Sequence, residues 1–302
     1  MTQLPPRLFD RSLLARRLDR VAGGFGAASF LKIRAVEDAL DTLSAINRTF
    51  DLTLDIGARD GTFGKCLKSS HAATKIGTLI EADISEVMTK ARADNGHIQI
   101  VLDEEALPFA DDSLDLIVAP LNLHSVNDLP GVLVQIRRAL KGDGLFIGSM
   151  LGGETLRELR TVLMEAEMEV RGGYGPRIAP FAESYDLVDL LKRTGFAMPV
   201  VDADKVSVTY EHPLRLLADL RAMGETNVLH DRPRKGLNKA ILAKAFALYQ
   251  QRFGLEDGRV TATFEIITLS GWKPHENQQK PLRPGSAKMR LADALGVKEG
   301  KL

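Results

Sequence analysis

Cysteine is nearly missing from this chain. Cys66 is the only one in 302 residues, so no internal disulfide is available. A single thiol, read as a small packing residue, points to a reducing compartment. An excess of charge is missing too. Forty Lys and Arg balance forty Asp and Glu, which argues against bulk electrostatic binding to nucleic acid or to an anionic membrane. No apolar run approaches the ~18 residues of a membrane span, so the chain does not read as an integral membrane protein. The start, Met1-Thr2-Gln3-Leu4-Pro5-Pro6, lacks the apolar stretch of a signal peptide. Arg11, Arg16, Arg17 and Arg20 have the look of a transit peptide, but Asp10 and Asp19 interrupt them. The expected location is cytoplasmic in a bacterium, or the mitochondrial matrix in a eukaryote.

Chemical signatures are missing as well. No His/Cys pair has metal-ligand spacing, and no metal is expected. No G-x-S-x-G nucleophile elbow occurs, and no Walker lysine follows the first glycine loop. A dinucleotide fingerprint needs a second glycine where the pyrophosphate touches the backbone, and Arg59 stands there.

What is present is a globular composition, 44% hydrophobic and 26% charged. Apolar residues Phe30, Ile33, Val36, Leu40, Leu43 and Ile46 share one helical face over 29–48, after a short basic helix at 7–21. From Leu52 the pattern changes. Short apolar strands are expected at 52–57, 76–82, 98–102, 114–119 and 144–149, with helices between them. Such alternation predicts a parallel sheet covered on both faces. Helices at 154–170 and 184–193, a strand at 200–210, helical segments over 213–253 and a strand at 260–269 complete the reading. The predicted class is α/β, a doubly wound, mostly parallel seven-stranded sheet. Residues 1–50 form an N-terminal helical lid and 51–273 the main domain. A helical insertion at about 211–257 precedes the last strand. Residues 274–302 read as a flexible tail, with a turn of helix at Leu291–Leu295.

In open parallel sheets ligands bind beyond the carboxyl ends of the strands. The first strand runs into Asp55-Ile56-Gly57-Ala58-Arg59-Asp60-Gly61. This loop suits a sulfonium nucleoside, which carries no phosphate and needs a close backbone rather than a phosphate cradle. After the second strand, Asp83 is placed either to accept two ribose hydroxyls or to cap the next helix. After the third come Asp103 and Glu104, an acceptor for an adenine amine or a solvated acidic turn. After the fourth come Leu121, Asn122 and His124. His124 is a base, a substrate contact or a packing residue. Asp128 caps the helix that follows.

Taken together, Phe9-Asp10-Arg11, Asp103–Phe109, Leu123–Pro130, Gly152-Gly153-Glu154-Thr155-Leu156, Leu159-Arg160, Met223-Gly224-Glu225-Thr226-Asn227, Gly271-Trp272-Lys273 and Arg283–Ala287 resemble one branch of the S-adenosylmethionine-dependent methyltransferases. That branch holds the mitochondrial complex I assembly factors with a methyltransferase fold and their α-proteobacterial relatives. Malonyl-carrier-protein methyltransferases are more distant. The resemblance implies S-adenosylmethionine at Asp55, Gly57, Gly61, Asp83 and Asp103, with Arg59, Ile84, Glu104 and Leu121 beside them. His124 and Asn122 are the expected catalytic residues, on the substrate side. Two positions depart from the branch: Arg59 replaces its usual glycine, and Ser125 the tryptophan that often follows the histidine. The implied partner is a protein, an iron–sulfur subunit of complex I. The mitochondrial member is associated with arginine hydroxylation, so the resemblance implies methyl transfer, hydroxylation or an assembly chaperone without catalysis.

Overall fold

The computed structural model describes residues 7–92 and 95–278. Most of the expected tail, including Leu291–Leu295, lies outside them. Helices α1 (Arg11–Val21) and α2 (Phe30–Ala45) precede β1 (Phe50–Ile56). Then come α3 (Thr62–Leu67), β2 (Ile76–Asp83), α4 (Glu86–Ala91), β3 (Ile98–Val101) and β4 (Leu114–Ala119). After them lie α5 (Leu129–Ala139), β5 (Leu140–Leu151), α6 (Arg157–Arg171) and α7 (Ser184–Arg193). The chain continues through β6 (Ala197–Tyr210), α8 (Pro213–Ala222), α9 (Lys239–Phe253) and β7 (Val260–Trp272).

Local chemistry sets several boundaries. Asp10 caps α1 by accepting from Leu13 N, and Ser85 caps α4 at Met88 N. Asp128 caps α5 by accepting from Gly131 N, with Pro130 in the first turn. Helix α6 starts at Arg157 rather than 154. The backbone before it is tied to β7, with Gly152 N donating to Glu265 O and Leu156 N to Thr263 O. The helical stretch over 213–253 divides into α8 and α9. Gly224, at φ +78°, ends the first, and Asn238 caps the second.

The seven strands form one sheet in the order β3-β2-β1-β4-β5-β7-β6. All neighbours from β3 to β5 are parallel, and β7 runs antiparallel to both β5 and β6. Strand order reverses between β1 and β4, the switch point where such sheets open a crevice. Leu133, Ile136, Leu187 and Leu191, from α5 and α7, cover one face. Val36, Leu40 and Phe63, from α2 and α3, cover the other. Over the carboxyl ends of the strands lies further apolar packing. Phe9, Leu14 and Leu18 meet Val228 and Leu229, while α6, α8 and α9 pack together beside β7.

Candidate functional site

The loop after β1 turns on two left-handed glycines, Gly57 at φ +70° and Gly61 at φ +79°. A Cβ on Gly57 would overlap the Asn122 side chain, and one on Gly61 would stand 3.0 Å from Arg92 Cδ. Both glycines are therefore required by the chain's own packing. Lys32, buried on α2, donates to Gly57 O at 2.7 Å and Pro120 O at 2.5 Å, pinning the ends of β1 and β4 together. Burial pushes its ammonium down from the ordinary lysine value, with Asp55 pulling the other way. Asp55 is wholly buried, and neither carboxylate oxygen has a hydrogen-bond partner among the described residues. Burial drives that carboxyl up, against the pull of Lys32.

Arg59 is the unexpected centre of the cleft. It too is left-handed, at φ +54°, and only 3% exposed. Its backbone N donates to Asp83 Oδ2 at 2.8 Å and its Nη1 to the same oxygen at 2.9 Å. Its Nη2 donates to Asn122 Oδ1 at 2.8 Å. Asp83 Oδ1 accepts from Ser85 N at 2.8 Å. Burial opposes the Asp83 charge, but Arg59 and these backbone donors hold its carboxyl below the usual carboxylate range. The capping role open to Asp83 is filled by Ser85. Ile84 packs with the Leu14, Leu18 and Met88 cluster. Arg59, expected among the cofactor contacts, thus spends its guanidinium on Asp83 and Asn122. Asn122, expected on the substrate side, is 1% exposed and spends its amide on Arg59 and on Glu104 Oε1.

The acidic loop after β3 is clamped from the N-terminus. Arg11 reaches Asp103 Oδ1 at 2.9 Å, Glu104 Oε2 at 2.7 Å and Ser125 O at 3.0 Å. Glu104 is buried and Asp103 partly exposed. Leu121 is left-handed at φ +47°, with its N held by Ser149 Oγ.

His124 meets a partner 101 residues away. Its Nε2 lies 3.0 Å from Glu225 Oε2, and its ring stands edge-on to Phe181. Burial opposes the Glu225 charge, while His124, Arg59 and Lys32 together hold its carboxyl below the ordinary value. Both side chains line a cavity of about 260 Å³ with mainly apolar walls, among them Leu121, Leu159, Ile178 and Phe181. The roof of the cavity is a seam. Asp10 N donates to Val228 O, His230 N donates to Leu8 O, and Arg232 pairs with Asp10. Glu225 and Lys32 were not candidates in the sequence. The motif Met223–Asn227 marked the segment, but nothing in it points to His124. A lysine on an otherwise apolar helical face was the available sign for Lys32.

An adenosyl cofactor needs acceptors for its ribose hydroxyls, its adenine amine and its ammonium. Asp55 lies near the end of β1, Asp83 ends β2 and Asp103 follows β3, so three carboxylates stand at the carboxyl ends of adjacent strands. These acceptors suit the group chemically, but the chain itself engages or encloses each of them: Arg59 occupies Asp83, Arg11 pairs with Asp103, and Asp55 is wholly buried. Among the described residues, no three His, Cys, Asp or Glu side chains stand close enough to hold a metal ion.

Comparison with known proteins bears on the fold and the family. Residues 54–148 match the family model described as a methyltransferase domain. The chain is 39% identical over 300 residues to "Arginine-hydroxylase NDUFAF5, mitochondrial" of Danio rerio, covering 98% of this chain and 91% of that protein. It is 30% identical over 286 residues to the malonyl-[acyl-carrier protein] O-methyltransferase of Methylovorus sp., covering 91% and 93%. Among solved structures, the Haemonchus contortus phosphoethanolamine N-methyltransferase 2 in complex with S-adenosyl-L-methionine superposes with a TM-score of 0.52. That match has 17% identity and covers 87% of this chain and 60% of the other. The fold is that of the class I methyltransferases, whose solved members include one holding S-adenosylmethionine.

Proposed function

The chain belongs to the family of the arginine-hydroxylase NDUFAF5, and from that premise we propose that it is an S-adenosylmethionine-dependent enzyme. Its substrate in this reading is an arginine side chain of a protein, an iron–sulfur subunit in the assembly of respiratory complex I. The observation that carries the reading is Glu225, a carboxylate bonded to His124 in a cavity of mainly apolar walls that Lys32 and Arg59 also line. An arginine matches that shape. Its aliphatic stem lies along apolar walls while its guanidinium meets the acid through charge-assisted hydrogen bonds.

Asp83 would accept the ribose hydroxyls, Asp103 the adenine amine and Asp55 the ammonium, with Gly57 and Gly61 shaping the loop between them. When bound, the cofactor supplies an electrophilic methyl group. Glu225 holds the guanidinium in line, and most of the rate enhancement comes from that positioning. The proton that a guanidinium nitrogen releases passes to the Glu225 carboxylate in contact with it, which His124 holds in place from behind. The seam between the N-terminal segment and residues 228–232 keeps water from the cavity. The name of the curated relatives favours a second reading on the same side chain, hydroxylation, which would need dioxygen and a two-electron reductant supplied from outside the chain. Product mass separates the two, since one adds a methylene and the other an oxygen. The matching location is the bacterial cytoplasm or the mitochondrial matrix, the curated relatives being named mitochondrial.

The test is binding of an arginine peptide beside its citrulline counterpart, a neutral near-isostere. Arginine should bind about tenfold or more tightly, and Glu225→Gln should erase the difference. Equal binding of the two peptides to the unaltered chain would refute the guanidinium assignment.

A further inference from the structure

We propose that Arg59 is a built-in occupant of the ribose position, so that the chain admits an adenosyl cofactor only when Arg59 leaves Asp83. This inference rests on the cofactor reading above and concerns how that site is controlled.

Three independent observations meet at this residue. The first is backbone conformation. Arg59 holds φ +54° between two left-handed glycines, in a region that side-chain-bearing residues enter at a cost. Such a residue persists where its surroundings over-determine it. The second is the direction of its side chain. A surface arginine on a loop would extend into water, whereas this one is 3% exposed and turned into the sheet's crevice. The third is its partners. Arg59 gives Asp83 Oδ2 two donors, from its backbone and its guanidinium, and Ser85 N takes Asp83 Oδ1. Its other terminal nitrogen closes on Asn122, which Glu104 holds from behind. The backbone carbonyl of Arg59 is itself gripped by Arg92. The acid that would receive a ribose is therefore already satisfied by a cation of the same chain.

A diol cannot displace that cation without leaving a buried charge unpaired, unless another acid takes the guanidinium. Glu104 is the acid at hand, since it holds the same Asn122 side chain that Arg59 Nη2 touches. Arg59 moving from Asp83 towards Glu104 would leave Asp83 to the cofactor and Glu225 to a substrate guanidinium, so that both can be bound together. Observed affinity for the cofactor is then the intrinsic affinity reduced by the fraction of molecules in the open arrangement.

The experiment is calorimetric titration of the full chain with S-adenosylhomocysteine, which binds without turnover. The unaltered protein, Arg59→Gly and Arg59→Gly/Asp83→Asn are compared, with unfolding curves for each. Arg59→Ala substitutes for Arg59→Gly if the glycine variant does not fold. Arg59→Gly is expected to bind about tenfold or more tightly than the unaltered chain, and the double variant to lose that gain. Equal, measurable affinity with and without Arg59 overturns the inference and leaves the cofactor reading standing. Absence of binding in every form overturns both.

Discussion

Arg59 carries a conformational cost of about 1–2 kcal/mol for a left-handed non-glycine residue. Two hydrogen bonds to one buried carboxylate oxygen offset it. The pair is therefore asymmetric under mutation. Asp83→Ala leaves a buried guanidinium with no anion and is expected to cost about 3–5 kcal/mol in urea unfolding. Arg59→Gly removes the backbone strain with the charge and should cost less. A loss from Arg59→Gly as large as that from Asp83→Ala would contradict this ordering. The pair also fixes a pH dependence. The Asp83 carboxyl lies below its unfolded value, so its contribution is complete above about pH 4 and fades as the pH falls below that. The stability gap between the unaltered chain and Arg59→Gly should narrow from neutral pH to about pH 3. A gap that widens on acidification would show that Asp83 is not held as a charged partner.

At the scale of elements, α1 is tied to the site by one side chain. Arg11 joins α1 to the Asp103–Glu104 turn and to Ser125 O, three attachments from a single guanidinium. Arg11→Leu should free α1 and the preceding segment while the sheet remains folded. Hydrogen exchange is expected to speed across residues 10–21 and 226–230, with β1, β4 and β5 still protected. Uniform acceleration across the chain would mean that α1 is integral to the core rather than a cover. The strands and most helices were legible because each is short and apolar with a polar break after it. Asp128 and the stop at Gly195 were legible for the same local reason. The split of 213–253 into α8 and α9 was marked by its polar interruptions. The late start of α6 was not, because its cause is a pairing with β7 more than a hundred residues away.

At the scale of the whole molecule, the order of strands β1 to β4 put Asp55, Asp83, Asp103 and His124 at the same end of the sheet. Strand-end position alone made that much readable. Three features escaped such reading because they depend on side chains meeting across the fold. Asn122 turned out to be a brace between Arg59 and Glu104 rather than a group open to substrate. His124 acquired Glu225 from the segment after α8, and Lys32 crossed from α2 to two loop carbonyls. Arg59 was recognisable as a departure, but its direction was set by the Asp83 carboxylate one strand away.

In the proposed function the Glu225 cavity presents a protein arginine to chemistry at the strand ends. The most direct measurement is tandem mass spectrometry of an iron–sulfur subunit of complex I after incubation with the full chain and S-adenosylmethionine, with and without dioxygen and a reductant. One arginine is expected to bear a new group, a methyl on the first reading or an oxygen on the second, and no such product is expected with Glu225→Gln. An unmodified subunit, or a modification that persists at full level in Glu225→Gln, would contradict that function.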